Sequence, residues 1–457
     1  MAQPSRRWLK VGWARSLGWF QARIVQESDS YFDRVPYGNM PYAISHRGNL
    51  EVLYQHNLVT PYYLRNRRRI ETAGRWILDA GCGSGFKTLA LAQANPGAHI
   101  VGIDPSARSV EVARGRLAHQ GFPDAEFHVL GIEDLRQLGQ QFDSINCDEV
   151  LYLLPDPQAA LEVLAAVLAP GGILRVNLHD RHQRAMVFRA QEAFSLVAER
   201  GGIAAEKRVD LVYRVMAALR ENVHLKERIW LPTPEAQRSP EWVAVNYLLE
   251  GDRGFTIAET FALIEQAGLE GIAMVNAPAW ELARLFADPA SLDGDIEQLL
   301  RSLSIKEQLQ LVELFQGGER LIDFWCGRSG ETLPWLPIEQ LNAVQREKAQ
   351  VSLHPQIGTA QRRQELEEAI ASNLPFDLNR GLRGPCDGEI VLDSAIARGL
   401  LPLWDGPLPL SELVDRWVAL ICTANPGADP ERLAFELLRF IALTENFAYL
   451  LVHQQTP

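Results

Sequence analysis

Between residues 76 and 178 the chain alternates short apolar runs with stretches of helical spacing. The runs Trp76–Ala80, His99–Asp104, Ala125–Leu130, Phe142–Cys147 and Ile173–Leu178 have strand length. Parallel neighbours need a long crossover, usually a helix, so this alternation predicts an α/β doubly wound sheet. A helix predicted from about Gln158 to Leu168 stops at Ala169-Pro170-Gly171-Gly172, just before the fifth strand. Thr256-Ile257-Ala258-Glu259 has capping-box spacing and opens a helix that ends near Gly268. Ile272–Val275 adds a strand, and the sheet is expected to close near residue 276.

The flanks follow other patterns. In residues 1–25, Leu9, Trp13, Leu17, Phe20 and Ile24 recur at helical spacing among Arg6, Arg7, Lys10, Arg15 and Arg23, as in an amphipathic helix docked on its own protein. The next stretch, with Pro36-Tyr37 and Pro41-Tyr42, cannot continue a helix and is expected to be extended. Arg65, Arg67, Arg68 and Arg69 fit a solvated helix face. The predicted organisation is an N-terminal helix and aromatic segment (1–70), a ligand-binding domain (71–180 and 251–276), a helical insertion serving as lid or dimerisation element (181–250), and an accessory region (280–457). Ser304 to Glu307 caps another helix in that last region, and residues 385–457 are expected to be winged-helix-like.

Composition narrows the setting. A chain of 457 residues exceeds one ordinary core. Its net charge of −12 supplies no overall basic field, which argues against general nucleic-acid binding. Five dispersed cysteines without C-x-x-C pairs predict neither zinc nor a disulfide framework, and hence a cytoplasmic protein. No apolar run reaches transmembrane length.

The chemistry concentrates at Asp79-Ala80-Gly81-Cys82-Gly83-Ser84-Gly85, where an apolar strand runs into three alternate glycines. Glycines let a strand turn sharply while a ligand lies against bare main chain. The spacing departs from G-x-G-x-x-G, and the acid two residues ahead of Gly81 attracts positive charge rather than pyrophosphate. S-adenosylmethionine (SAM), a sulfonium with an α-ammonium, fits this arrangement. Asp104 ends the second strand, 25 residues after Asp79, where an acid accepts hydrogen bonds from both ribose hydroxyls. Cys147 and Asp148 fall at the carboxyl edge of the fourth strand, where ligands bind open α/β sheets.

The glycine segment resembles motif I of class I SAM-dependent methyltransferases, D-x-G-x-G-x-G, without a substitution, and Phe142–Pro157 is similar to their motif IV. The resemblance implies a Rossmann-like domain with adenine held after the third strand. This chain has Gly131 where the family often carries an acid, so Ile132 (through its N–H) and Asp134 are the expected adenine contacts. It also implies a lid before the domain, making Tyr37 and Tyr42, with Asp148, the candidates for orienting the nucleophile. Softer similarities extend to bacterial methyltransferases with a regulatory domain, a group that includes protein-lysine methyltransferases. They lie in Val35-Pro36-Tyr37 with Pro41-Tyr42 and Ser45-His46, in Asp323-Phe324 with Arg328, and in Leu400–Val414. The implied function is methyl transfer to a lysine-like amine of a protein. A small-molecule O- or N-methyltransferase and a non-catalytic SAM-binding regulator are the alternatives, and a homodimer is possible.

Overall fold

The computed structural model describes residues 40–230, 239–288, 292–382, 384–386 and 388–454. Its centre is an eight-stranded sheet in the order β3-β2-β1-β4-β5-β8-β7, with β6 paired to β5. Strands β1 (Trp76–Ala80), β2 (His99–Asp104), β3 (Glu126–Val129), β4 (Phe142–Cys147) and β5 (Leu168–Asp180) are mutually parallel, joined by crossovers as the apolar blocks predict. β6 (Gly254–Phe255) and β7 (Leu269–Met274) follow the insertion.

The sheet does not close near residue 276. β8 (Leu321–Arg328) returns from the accessory region and runs antiparallel between β5 and β7. The expected boundary missed it because 277–320 intervene, so proximity in sequence gave no reason to pair it with β5. Asp323, Phe324 and Arg328 thereby belong to the central sheet.

One face of the sheet is apolar. Leu78, Val101, Ile145, Cys147, Leu174, Val176, Ile322 and Phe324 pack there with Leu161 and Leu164 of the helix Pro157–Val167 and Ile264 of the helix Ile257–Gln266. The latter helix opens with the predicted capping box, Thr256 with Glu259, and Ser304 with Glu307 opens another.

Among the described residues the insertion folds as four α-helices, Ala185–Gly201, Arg208–Ala218, His224–Ile229 and Pro240–Tyr247. It has its own small core of Phe194, Val212, Met216, Val243 and Tyr247. The C-terminal region builds a second large core around β9 (Gln350–Leu353), paired with β12 (Leu408–Pro409) and β13 (Leu450–His453), while β10 (Phe376–Asp377) and β11 (Val391–Leu392) form a short ribbon. The middle strand of the three therefore comes from ahead of residue 385.

Helices Leu50–His56 and Val59–Asn66 fasten the two cores together. Tyr54 donates to the Phe447 carbonyl (2.7 Å) and Tyr63 to Glu445 Oε1 (2.6 Å). The arginine run is not a solvated face. Arg65 is buried, donating to the Arg328 carbonyl (2.5 Å) and paired with Glu270, and Arg67 is buried beside Glu445. Residues 1–25 lie outside the described residues.

Candidate active site

β1 delivers Asp79 to the sheet edge, and the chain then turns through Gly81, Gly83 and Gly85 at φ of 86°, 48° and 77°. These values lie in the left-handed region that side chains avoid. A Cβ on Gly81 would run into Val150 Cγ2, and one on Gly85 would come within 2.8 Å of the Ala113 Cα. The turn is held by the Gly81 and Cys82 N–H groups donating to the Ile103 carbonyl, both at 2.9 Å. The helix Phe86–Ala94 then leads away.

The face of the sheet opposite the apolar core carries a row of buried polar side chains. Asp79 stands in register with Asn146 on β4, Asn146 with Arg175 on β5, and Asn177 on β5 with Asp323 on β8. Asp79 accepts from the Thr88 hydroxyl (2.6 Å) and from Asn146 Nδ2 (2.8 Å). Burial nevertheless pushes its carboxyl up to about 6, those two hydrogen bonds limiting the rise. Arg175 forks onto Asp323 (Nε–Oδ1 3.1 Å, Nη2–Oδ2 2.7 Å) and donates to His56 Nε2 (3.2 Å). Burial keeps His56 neutral. Asp148 receives Lys87 Nζ at 2.9 Å and the Asn177 amide. Burial opposes its charge, but Arg175 and Lys87 outweigh it and hold the carboxyl far below the ordinary range. Three carboxylates, Asp79, Asp148 and Asp323, thus face two cations, Lys87 and Arg175, around this row. The excess negative charge suits an added ammonium.

The residues fit a sulfonium amino-acid cofactor on two counts. The glycine turn presents half-buried backbone without side chains at Gly81 and Gly83, beside the carboxyl ends of β1 and β2. Beside it, Asn146 Oδ1 is buried with no hydrogen-bond partner, an acceptor left over for a donor from outside the protein.

Asp104, at the end of β2, is oriented by the N–H groups of Gly83 and Ser106, each at 2.9 Å. This ties the second-strand acid directly to the glycine turn. Ile132 is buried at the start of the 3₁₀ helix Ile132–Leu138, while Asp134 on its first turn is exposed and accepts from Gln137 (2.9 Å). Glu133 folds back over Gly131, where a Cβ would meet its carboxylate at 2.5 Å. Cys147 is buried in the apolar face, and burial pushes its thiol far up. Tyr42 packs on the helix Ala107–His119, against Gly115 and the His119 ring at 6.0 Å, rather than beside Asp148. Tyr37 lies outside the described residues.

Sequence reasoning missed Asn146, Thr88, Lys87, Arg175 and Asn177. A signal was present. Ser144 and Asn146 on β4, and Arg175, Asn177 and His179 on β5, alternate with apolar residues in strands that a doubly wound sheet normally makes apolar on both faces. That two-residue polar period marks the ligand-facing side.

Known proteins align with this geometry. Residues 71–227 match the family described as "Methyltransferase domain". The chain is 32% identical over 268 residues to an uncharacterized protein of Synechococcus sp., an alignment covering 55% of this chain and 60% of that one. It is 34% identical over 115 residues to a ubiquinone biosynthesis O-methyltransferase of Paracidovorax citrulli, covering 25% of this chain and 48% of that one. The chain thus spans less than two thirds of either relative. Among solved structures, PKMT2 from Rickettsia typhi superposes with a TM-score of 0.56 at 16% identity, covering 90% of this chain and 76% of that one, and so shares the fold. Sheet order, glycine turn and family match together define the central part of this chain as a class I SAM-dependent methyltransferase domain.

Proposed function

We propose that the chain transfers a methyl group from SAM to a lysine-like amine on a protein. The observation that carries the cofactor reading is the orphaned Asn146 Oδ1, on the strand paired with Asp79, together with the turn after Asp79 whose three glycines all adopt positive φ. In this reading Asp104 meets the ribose hydroxyls, the Ile132 N–H and Asp134 meet adenine, and Asp79 with Asn146 meets the α-ammonium. Cys147, whose side chain packs in the apolar face, would contribute through its backbone at the end of β4. SAM brings an activated methyl, so the protein's part is alignment and removal of the acceptor's proton. The acidic residues that follow β4, Asp148 and Glu149, favour a cationic acceptor. Tyr37 remains a candidate for orienting the acceptor, whereas Tyr42 packs on the helix Ala107–His119 instead.

A small-molecule O-methyltransferase is the second reading, favoured by the name carried by the Paracidovorax relative. Radiolabelled SAM supplied with native lysate separates the two. Label on protein bands supports the first reading and label in extractable metabolites the second. Tight SAM binding with no labelled product would leave a SAM-binding regulator.

A further inference from the structure

Past Asp148 the sheet edge holds a second polar cluster. Glu149 has a left-handed backbone (φ 63°), a strained state for a glutamate, fixed by its N–H donating to Asn177 Oδ1 at 2.8 Å. Its carboxylate accepts from the Tyr152 hydroxyl (2.8 Å) and from both terminal nitrogens of Arg320, Nη1 at 3.1 Å. Arg320 Nη1 also reaches His179 Nε2 at 3.3 Å. The other His179 nitrogen, Nδ1, bonds Asp252 Oδ1 at 2.6 Å, and Asp252 is held in turn by Arg184 (3.2 Å) and Gln191 (2.9 Å). The Tyr152 ring stacks on His179 at 3.7 Å.

The partners fix the imidazole tautomer, with the proton on Nδ1 and a lone pair on Nε2. Three acceptor positions therefore converge, two carboxylate oxygens and one imidazole nitrogen, beside stacked aromatic rings. An alkylammonium carries three donors and one charge, which matches this set. The chain's own guanidinium sits there instead. The Arg320 side chain is 46% exposed while Tyr152, His179 and Asp252 beneath it are buried, which puts the guanidinium between solvent and the buried cluster.

We propose that Glu149, His179 and Tyr152 form the subsite for the acceptor's primary ammonium, which Arg320 occupies as an internal stand-in until the acceptor displaces it. This rests on the methyltransferase reading above. One N–H proton of the ammonium passes to the lone pair of His179 Nε2, giving an imidazolium paired with Asp252. The freed nitrogen lone pair forms the new N–CH₃ bond while the S–CH₃ bond breaks and its electron pair stays on sulfur. The imidazolium then returns its proton to solvent. Asp252 is a positioning residue, and Arg320 is a gate.

The test uses the full chain with ¹⁵N-labelled histidine, titrated with n-butylammonium as a lysine side-chain mimic in the presence of S-adenosylhomocysteine. Arg320→Ala is expected to bind the probe at least tenfold more tightly than the wild type, moving the His179 Nε2 resonance. Adding Glu149→Gln is expected to abolish that binding. Arg320→Gln, which keeps the aliphatic stem, serves as a second variant. Equal affinity in wild type and both Arg320 variants, or retained binding after Glu149→Gln, overturns the proposal. Calorimetry of S-adenosylhomocysteine on the same samples separates the two levels. Failure of the wild type to bind it removes the methyltransferase reading and this inference with it, whereas normal binding with an unchanged n-butylammonium response removes only the inference.

Discussion

Replacing Asp79 by asparagine should make the cofactor-free protein more stable and its cofactor binding weaker. The carboxylate is fully buried in a row that already has more negative than positive charge, and its pKa climbs from 3.8 to about 6. At about 1.4 kcal/mol per unit, a rise of about two units corresponds to roughly 3 kcal/mol of lost stability once the group is ionised in both states. Because the folded value lies above the unfolded one, the favourable contribution is present below about pH 4 and is lost as pH rises through about 6. Asparagine can accept from Asn146 and donate to the Thr88 hydroxyl, so it keeps both local contacts without the charge. Urea unfolding should therefore show a gain for Asp79→Asn that approaches roughly 3 kcal/mol at pH 7.5 and shrinks at pH 5. Calorimetry at pH 7.5 should show weaker S-adenosylhomocysteine binding, since an anion opposite the α-ammonium is gone. An equal stability change at both pH values, or undiminished binding, would refute the charge argument.

Gly85→Ala should cost on the order of 1–3 kcal/mol in the same unfolding assay, since alanine would take a positive φ and press on the Ala113 backbone. Arg175→Met leaves Asp323 buried without its fork and should destabilise by roughly 3–5 kcal/mol. Adding Asp323→Leu should recover much of that loss, whereas a shortfall that persists would mean the pair itself stabilises the sheet. His354 is buried and neutral, its pKa lowered from 6.5 to about 3 by desolvation, so its contribution is intact above the ordinary histidine value and is lost as pH falls from 6.5 toward about 3. His354→Gln should accordingly flatten the acid limb of the stability profile between pH 7 and 4.

Much of the cofactor half is readable from sequence, because local chemistry decides it. The five parallel strands, the two capping boxes and the glycine turn depend on residues close together in the chain, and Asp104 is fixed by the strand that carries it. What sequence hid depends on pairing across distance. β8 arrives from residue 321, so the antiparallel strand that brings Asp323 to Arg175 and Arg320 to Glu149 had no local signature. Arg65 looked like a solvated cation because its partners, Glu270 and the Arg328 carbonyl, lie more than 200 residues away. Tyr42 was paired with the site through a resemblance, while its ring position is set by a glycine on a neighbouring helix that leaves room for it. Alternation along β4 and β5, read as polarity by face rather than as average hydropathy, would have recovered Asn146, Asn177 and His179.

The proposed cofactor site, the glycine turn with Asp104, is open to direct measurement. Its most direct measurement is an equilibrium titration of SAM by calorimetry on the wild type and on Asp104→Ala. Loss of hydrogen bonds to a charged acceptor is typically worth about 1.5–3 kcal/mol, so the variant should bind roughly ten- to a hundredfold more weakly. Unchanged SAM affinity in Asp104→Ala, or no binding by the wild type, would contradict the proposed SAM site.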